Sequence, residues 1–211
     1  MSLDVLVIMD PIASIRVAKD SSFAMLLEGQ RRGHRLLYAE AGDLALGTDG
    51  PLARARAIEV RDDPADWFRL GEARLVDLGA LDVVLMRRDP PVDREYLYDT
   101  LVLEEAARRG ALVVNRPAAL RELNEKLAPL AWPEFAPPTL AARDAASLRA
   151  FAEEHGEVVL KPLDGMGGRA VFRSHAEDPN LGVIIETLTG EGRHMALIQR
   201  YLPAIREGDK R

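Results

Sequence analysis

Residues Leu3 to Met9 form an unbroken apolar run of strand length. Asp20 or Ser21 then caps a predicted helix whose Phe23, Leu26 and Leu27 share one face, and Gly33 stops it. His34 to Ala39 reads as the next strand, so the chain opens with a βαβ unit, which requires parallel strands and a right-handed crossover. A weakly patterned stretch with Gly47, Gly50 and Pro51 leads into alternation over Ala55 to Val60, predicting an edge hairpin. Asp82 to Arg87 supplies another buried strand. The spacing predicts a helix over residues 93–109, with Tyr98, Leu101, Val102 and Ala106 in register. Gly110 ends it before the strand Ala111 to Asn115. The first part is thus an open α/β sheet.

The texture changes after Asn115. Pro117, Pro129, Pro133, Pro137 and Pro138 predict a linker with short helices and a boundary near residues 116–126, dividing the chain into domains 1–123 and 124–211. A second unit follows, with a helix from Asp144 to His155 that turns Leu148, Phe151 and Ala152 inward, and a strand Val158-Val159-Leu160 ending at Lys161. Three glycines in four positions (Gly165, Gly167, Gly168) make a corner, and Arg169 to Arg173 alternates like a returning strand. A helix near Pro179 to Leu188 and a strand Met195 to Tyr201 complete the unit before a charged tail.

Composition narrows the class. The 211 residues are 47% hydrophobic, enough for one large or two small cores. A net charge of −6 argues against nucleic acid or an anionic membrane as main partner. Cysteine is absent, which removes disulfides, thiolate metal sites and cysteine nucleophiles, and fits a reducing compartment. No apolar run approaches the roughly 18 residues of a membrane helix, and the N-terminus lacks the basic and small-residue pattern of a signal peptide. The expected address is the cytoplasm.

Candidate chemistry concentrates in three places. Lys161 ahead of the glycine corner pairs a point charge with backbone amides that approach phosphate oxygens closely, although a plain glycine hairpin has the same outline. It is no P-loop, because Arg169 and Ala170 follow Gly168 where that motif needs Lys-Ser/Thr entering a helix. Arg87 ends a buried strand ahead of Asp89-Pro90-Pro91, where open α/β sheets place ligand contacts. It can clamp a carboxylate or form a structural ion pair with Asp89 or a neighbouring acid. Asp10 and Ser14 follow the first strand similarly, but no Gly-x-Gly-x-x-Gly accompanies them, which disfavours a dinucleotide site. The end of the last strand, Gln199-Arg200-Tyr201-Leu202, offers backbone groups to an adenine edge and Tyr201 and Leu202 as an apolar wall, or is an ordinary strand. His34, His155, His175 and His194 lack metal-ligand spacing and read as surface residues. Glu104-Glu105 and Glu153-Glu154 read as solvated helix faces.

Taken in order, Met9-Asp10-Pro11-Ile12-Ala13-Ser14-Ile15, Asp20 to Glu28, Leu85-Met86-Arg87-Arg88-Asp89-Pro90-Pro91, Val114-Asn115-Arg116-Pro117, Asn124-Glu125-Lys126-Leu127, Leu160 to Gly168, Asp178 to Gly182 and Gln199 to Ile205 resemble the bacterial glutathione synthetases, ATP-grasp ligases. The Lys-Pro-Leu-Asp-Gly-Met-Gly-Gly run is the most specific piece. The resemblance implies a Rossmann-like pre-ATP-grasp domain followed by the first part of an ATP-grasp (α+β) domain. It also implies ligation of γ-glutamylcysteine to glycine at the expense of ATP, with Mg²⁺ or Mn²⁺, in a homo-oligomer. Under it Lys126, Lys161, Gly165, Gly167 and Gly168 would hold phosphates, and Gln199, Tyr201 and Leu202 would form the adenine hinge. Asp209 or Glu207 would take the ribose, Asp10, Ser14 and Arg87 the substrate, and Arg211 the phosphates or the substrate carboxylate. In that family the metal-binding acids lie beyond the position matching residue 211, so the chain is expected to lack ligase activity by itself. Pro129, five residues after Asn124, would clash within a continuing helix and bears on the placement of Lys126. A nucleotide-binding module and another ATP-grasp carboxylate-amine ligase are the alternatives.

Overall fold

The computed structural model describes residues 1–208. Two units separate at the chain positions Met1–Glu122 and Leu123 onward.

The first unit is a seven-stranded mixed sheet. Strands β1 (Asp4–Met9), β2 (Arg35–Ala39), β6 (Val83–Arg87) and β7 (Leu112–Val114) are parallel neighbours in the order β2-β1-β6-β7. The reason β1 reads as a continuous apolar run is that both its faces are covered. Leu6 and Ile8 pack in one core with α2 (Arg94–Arg108), while Val5, Val7 and Met9 pack in the other with α1 (Ser21–Arg31). Asp20 caps α1 by accepting the Phe23 N–H at 2.7 Å, as its residue type predicts. Helix α3 (Pro117–Glu122) closes the unit.

The antiparallel part differs from expectation. Strand β4 (Gly50–Val60) is no edge: it pairs with β2, with β3 (Leu44–Gly47) and with β5 (Phe68–Asp77). The buried stripe of α2 is also rotated from the predicted one. Tyr96, Thr100, Leu103 and Ala106 face the sheet, whereas Tyr98 and Leu101 are exposed. Glu104 is not a solvated face residue either, because it is half-buried and ion-paired with Arg121 of α3.

The second unit carries a four-stranded antiparallel sheet in the order β10-β9-β11-β8, with β8 Thr139–Ala142, β9 Val158–Pro162, β10 Phe172–Ser174 and β11 Ala196–Arg200. Helices α4 (Ala145–His155) and α5 (Leu181–Thr189) cover one face, burying Val158, Leu160, Ala196 and Ile198. The strand after the glycines starts later than predicted, at Phe172, because Gly167, Gly168 and Ala170 adopt positive φ and extend the turn.

Candidate functional site

In the first unit, parallel strands β2 and β6 flank β1, so the chain reverses its strand order beside the carboxyl end of β1, where open sheets bind ligands. A cleft of about 340 Å³ opens there. It gathers Asp10 and Ser14 from the segment after β1, Asp20, Ser21 and Ser22 from the start of α1, Arg87 from the end of β6, and Asp89. Asp10, Ser14 and Arg87, the three residues expected to take the substrate, thus line one cleft. Arg87 donates to Ser22 Oγ at 3.0 Å and Ser21 Oγ at 2.8 Å, and among the described residues it pairs with no carboxylate. The ion pair with Asp89 does not form; Asp89 instead donates its backbone N–H to Asp10 Oδ2 at 2.9 Å. Partial burial and the neighbouring Asp10 and Asp20 carboxylates push the Asp89 carboxyl above its usual range, against the pull of Arg87. A guanidinium held by two hydroxyls keeps its charge available to an anionic ligand.

Arg88, next in sequence, points elsewhere. It pairs with Asp99 of α2 at 2.6 Å, and the two side chains are only 18% and 14% exposed. Burial raises the Asp99 pKa, partly offset by Arg88. Arg87, the last residue of β6, and Arg88, the first beyond it, thus point apart, one to the cleft rim and the other to the packing of α2.

In the second unit, α4 and α5 take one face of β9 and β11, and the opposite face presents Lys161 and Gln199. The antiparallel register sets Lys161 opposite Leu197, which makes Gln199 its diagonal neighbour. Lys161 Nζ donates to Gln199 Oε1 at 2.7 Å, and Gln199 Nε2 donates to Thr139 Oγ1 at 3.0 Å. Lys161 has no carboxylate partner among the described residues. Burial, and then repulsion from Lys126, lowers its pKa below the ordinary lysine value.

Lys126 reaches the same place by a route the proline argument did not foresee. The chain leaves the helical path at Asn124, whose Oδ1 accepts from the N–H groups of Lys126 (2.9 Å) and Leu127 (3.2 Å). Pro129 then enters a short 3₁₀ turn, Ala128–Ala131, in which no clash arises. This turn aims Lys126 Nζ at the glycine corner, where it donates to Gly165 O at 2.6 Å and also meets Glu125 at 2.8 Å. Asn124 Nδ2 donates to Leu163 O at 3.0 Å. Gly167 and Gly168, at φ +65° and +75°, have open space where a Cβ would stand. Gly165 has none to spare, since a Cβ would lie 2.9 Å from Pro162 Cγ. The corner is therefore an open backbone cradle between two ammonium groups, which suits phosphate oxygens.

The hinge segment is only partly available. The Arg200 and Tyr201 amides already donate to Pro138 O (3.0 Å) and Glu157 O (2.8 Å). The Arg173 guanidinium lies over one face of the Tyr201 ring at 4.0 Å, so in this structure that face is covered by a cation. Leu202 remains exposed. Asp209 and Arg211 lie outside the described residues, and Glu207 sits in a 3₁₀ turn, Pro203–Glu207. Among the described residues no three His, Asp or Glu side chains gather as a metal site, so the residues present do not fit a dedicated metal centre. No helix among them is long and apolar enough to cross a membrane. Sequence reasoning missed Thr139, which orients Gln199, because β8 is four residues long and follows a proline pair.

Comparison with known proteins identifies the family. The model of the prokaryotic glutathione synthetase N-terminal domain matches residues 3–121, and that of its ATP-grasp domain matches residues 125–211. The glutathione synthetase of Xanthomonas axonopodis pv. citri (strain 306) is 58% identical over 211 residues, which is 100% of this chain and 67% of that protein. The glutathione synthetase of Vibrio parahaemolyticus serotype O3:K6 is 50% identical over 205 residues, 97% of this chain and 65% of that protein. In fold, the chain is similar to a RimK domain ATP-grasp protein from Sphaerobacter thermophilus DSM 20745, with a TM-score of 0.59 at 22% identity over 94% of this chain and 64% of that one. It is also similar to the D-cycloserine synthetase DcsG, with a TM-score of 0.59 at 20% identity over 95% and 60%. The chain spans about two thirds of the length of the Xanthomonas relative. With both domain models matched in order over nearly its whole length, the chain belongs to the prokaryotic glutathione synthetase family, ATP-dependent ligases with the ATP-grasp fold.

Proposed function

We propose that Lys126, Lys161 and the glycine corner hold the phosphates of Mg-ATP, and that Asp10, Ser14 and Arg87 hold γ-glutamylcysteine. In the reaction of the family, a γ-glutamylcysteine carboxylate oxygen bonds to the γ-phosphorus as the bond to ADP breaks. The amine of glycine then adds to the acyl carbon, phosphate leaves, and the amine loses a proton. Two ammonium groups beside a positive-φ backbone neutralise charge on the phosphoryl oxygens, and positioning of this kind carries most of phosphoryl transfer. Mg²⁺ would arrive with the nucleotide and screen its oxygens further. Asp209 and Arg211 complete the proposal as ribose and phosphate contacts, with Gln199, Tyr201 and Leu202 beside the adenine. The cytoplasm is the expected compartment, where a cysteine-free chain and a thiol substrate both suit reducing conditions, and a homo-oligomer is the expected assembly.

The observation that carries this reading is Lys161, a half-buried cation whose hydrogen-bond partner is neutral and whose neighbour Lys126 repels it. Lys126 has Glu125 at 2.8 Å, whereas Lys161 has no carboxylate partner among the described residues, and a phosphate would supply an anion. The reading has a pH signature. Free Lys161 titrates below the ordinary value of 10.5, and polyphosphate beside it raises that pKa again. Binding therefore takes up protons at alkaline pH, and affinity falls as pH rises through the depressed value. Calorimetric titration of Mg-ATP in buffers of different ionisation enthalpy measures the uptake. Proton release, or an affinity flat across the alkaline range, would contradict the assignment.

A further inference from the structure

Ile12 is 2% exposed, yet it lies in the irregular segment between β1 and α1, in the 3₁₀ turn Ile12–Ser14. Buried backbone polar groups outside regular structure need partners from elsewhere. Here both come from side chains. The Ile12 N–H donates to the Tyr38 hydroxyl at 3.2 Å, and the Ile12 carbonyl accepts from Trp67 Nε1 at 3.0 Å. Tyr38 sits near the end of β2 and is 4% exposed, and its hydroxyl in turn donates to Glu40 Oε1 at 2.7 Å. Donation to a carboxylate makes that oxygen a better acceptor for Ile12. Burial and Glu40 also hold the phenol protonated well above the ordinary tyrosine range. Trp67 lies between β4 and β5, in the part of the sheet that sequence reasoning saw only as a hairpin, and it packs on the core that includes Ile12 and Tyr38.

The turn so pinned carries the cleft. Asp10 and Ser14 flank Ile12 two residues away on either side, and both line the cavity. Within the turn, the Ser14 N–H and Oγ–H both donate to Pro11 O, at 2.8 and 2.7 Å. Nothing in regular secondary structure sets the height of this segment above the sheet. We infer that Tyr38 and Trp67 are positioning residues for the γ-glutamylcysteine cleft, fixing Asp10 and Ser14 by clamping the two backbone groups of Ile12. The inference rests on the reading of that cleft as the substrate site.

Tyr38→Phe removes one bond of the clamp at nearly constant volume, and Trp67→Phe removes the other together with part of the indole's packing. Calorimetric titration of γ-glutamylcysteine into the 211-residue chain should show affinity about fivefold to tenfold weaker in Tyr38→Phe, the scale of one hydrogen bond converted to a binding constant. Mg-ATP affinity should be unchanged, and amide exchange should accelerate at Ile12 and Ser14 while Leu6 and Leu26 stay protected. A purely structural role would instead lower core protection without a selective loss of γ-glutamylcysteine. Unchanged γ-glutamylcysteine affinity in both variants, with Arg87→Ala having lost it, overturns the positioning role alone. Unchanged affinity in Arg87→Ala overturns the reading of the cleft and the positioning role with it.

Discussion

Lys161→Ala is expected to weaken Mg-ATP binding by roughly 30-fold to 100-fold, the loss that follows from removing one charge-assisted hydrogen bond to phosphate. Leu160 and Ile198 commit one face of β9 and β11 to the core beneath α4 and α5, so Lys161 and Gln199 must share the other. There Gln199 holds the ammonium from one side, while Lys126 is tied to the Gly165 carbonyl across the glycine corner. Stability should not follow affinity. Burial already disfavours the charged form of Lys161, so Lys161→Met, which keeps the apolar stem, should unfold at a temperature no lower than the parent chain. Equal losses of affinity and stability in Lys161→Met would mean that Lys161 is a structural residue.

The largest effect on stability is expected at Arg88, one residue away from Arg87. Arg88→Ala leaves Asp99 half-buried beside α2 without its 2.6 Å partner, and should destabilise the first unit by about 2–3 kcal/mol. Arg87→Ala removes two hydrogen bonds to serines at an open cleft, and should change stability by less than about 1 kcal/mol. Denaturant unfolding of both variants checks this. The paired change Arg88→Met with Asp99→Leu should recover most of the loss, because no buried charge is then left alone. If Arg87→Ala proved the more destabilising of the two, the division of labour between Arg87 and Arg88 would be wrong.

Much of the fold was legible where one residue type has one structural meaning. The double-faced apolar run of β1, the Asp20 cap and the βαβ order all follow from local physics. Strand β5 was illegible because Arg69, Glu72 and Arg74 leave it largely exposed, and only its long ladder with β4 makes it a strand. On α2 the reading went astray because Thr100, fully buried, satisfies its hydroxyl by donating to Leu97 O at 2.6 Å, while Tyr98 and Leu101 face outward. In the site, the residue types at Lys161 and the glycines were informative, but the Lys161–Gln199 contact needed the antiparallel register, and the direction of Lys126 needed the Asn124 turn. Tyr38 and Trp67 carried no signal, since they act on backbone groups of a residue distant in sequence.

The central claim is that the nucleotide binds at the glycine corner of the second unit and γ-glutamylcysteine in the cleft of the first. Hydrogen exchange of the 211-residue chain, alone and with each ligand, tests it most directly. Mg-ATP should slow exchange over residues 161–168 and 199–202, and γ-glutamylcysteine should slow it over residues 10–22 and 87–89. Exchange at residues 161–168 that is indifferent to saturating Mg-ATP would contradict the account.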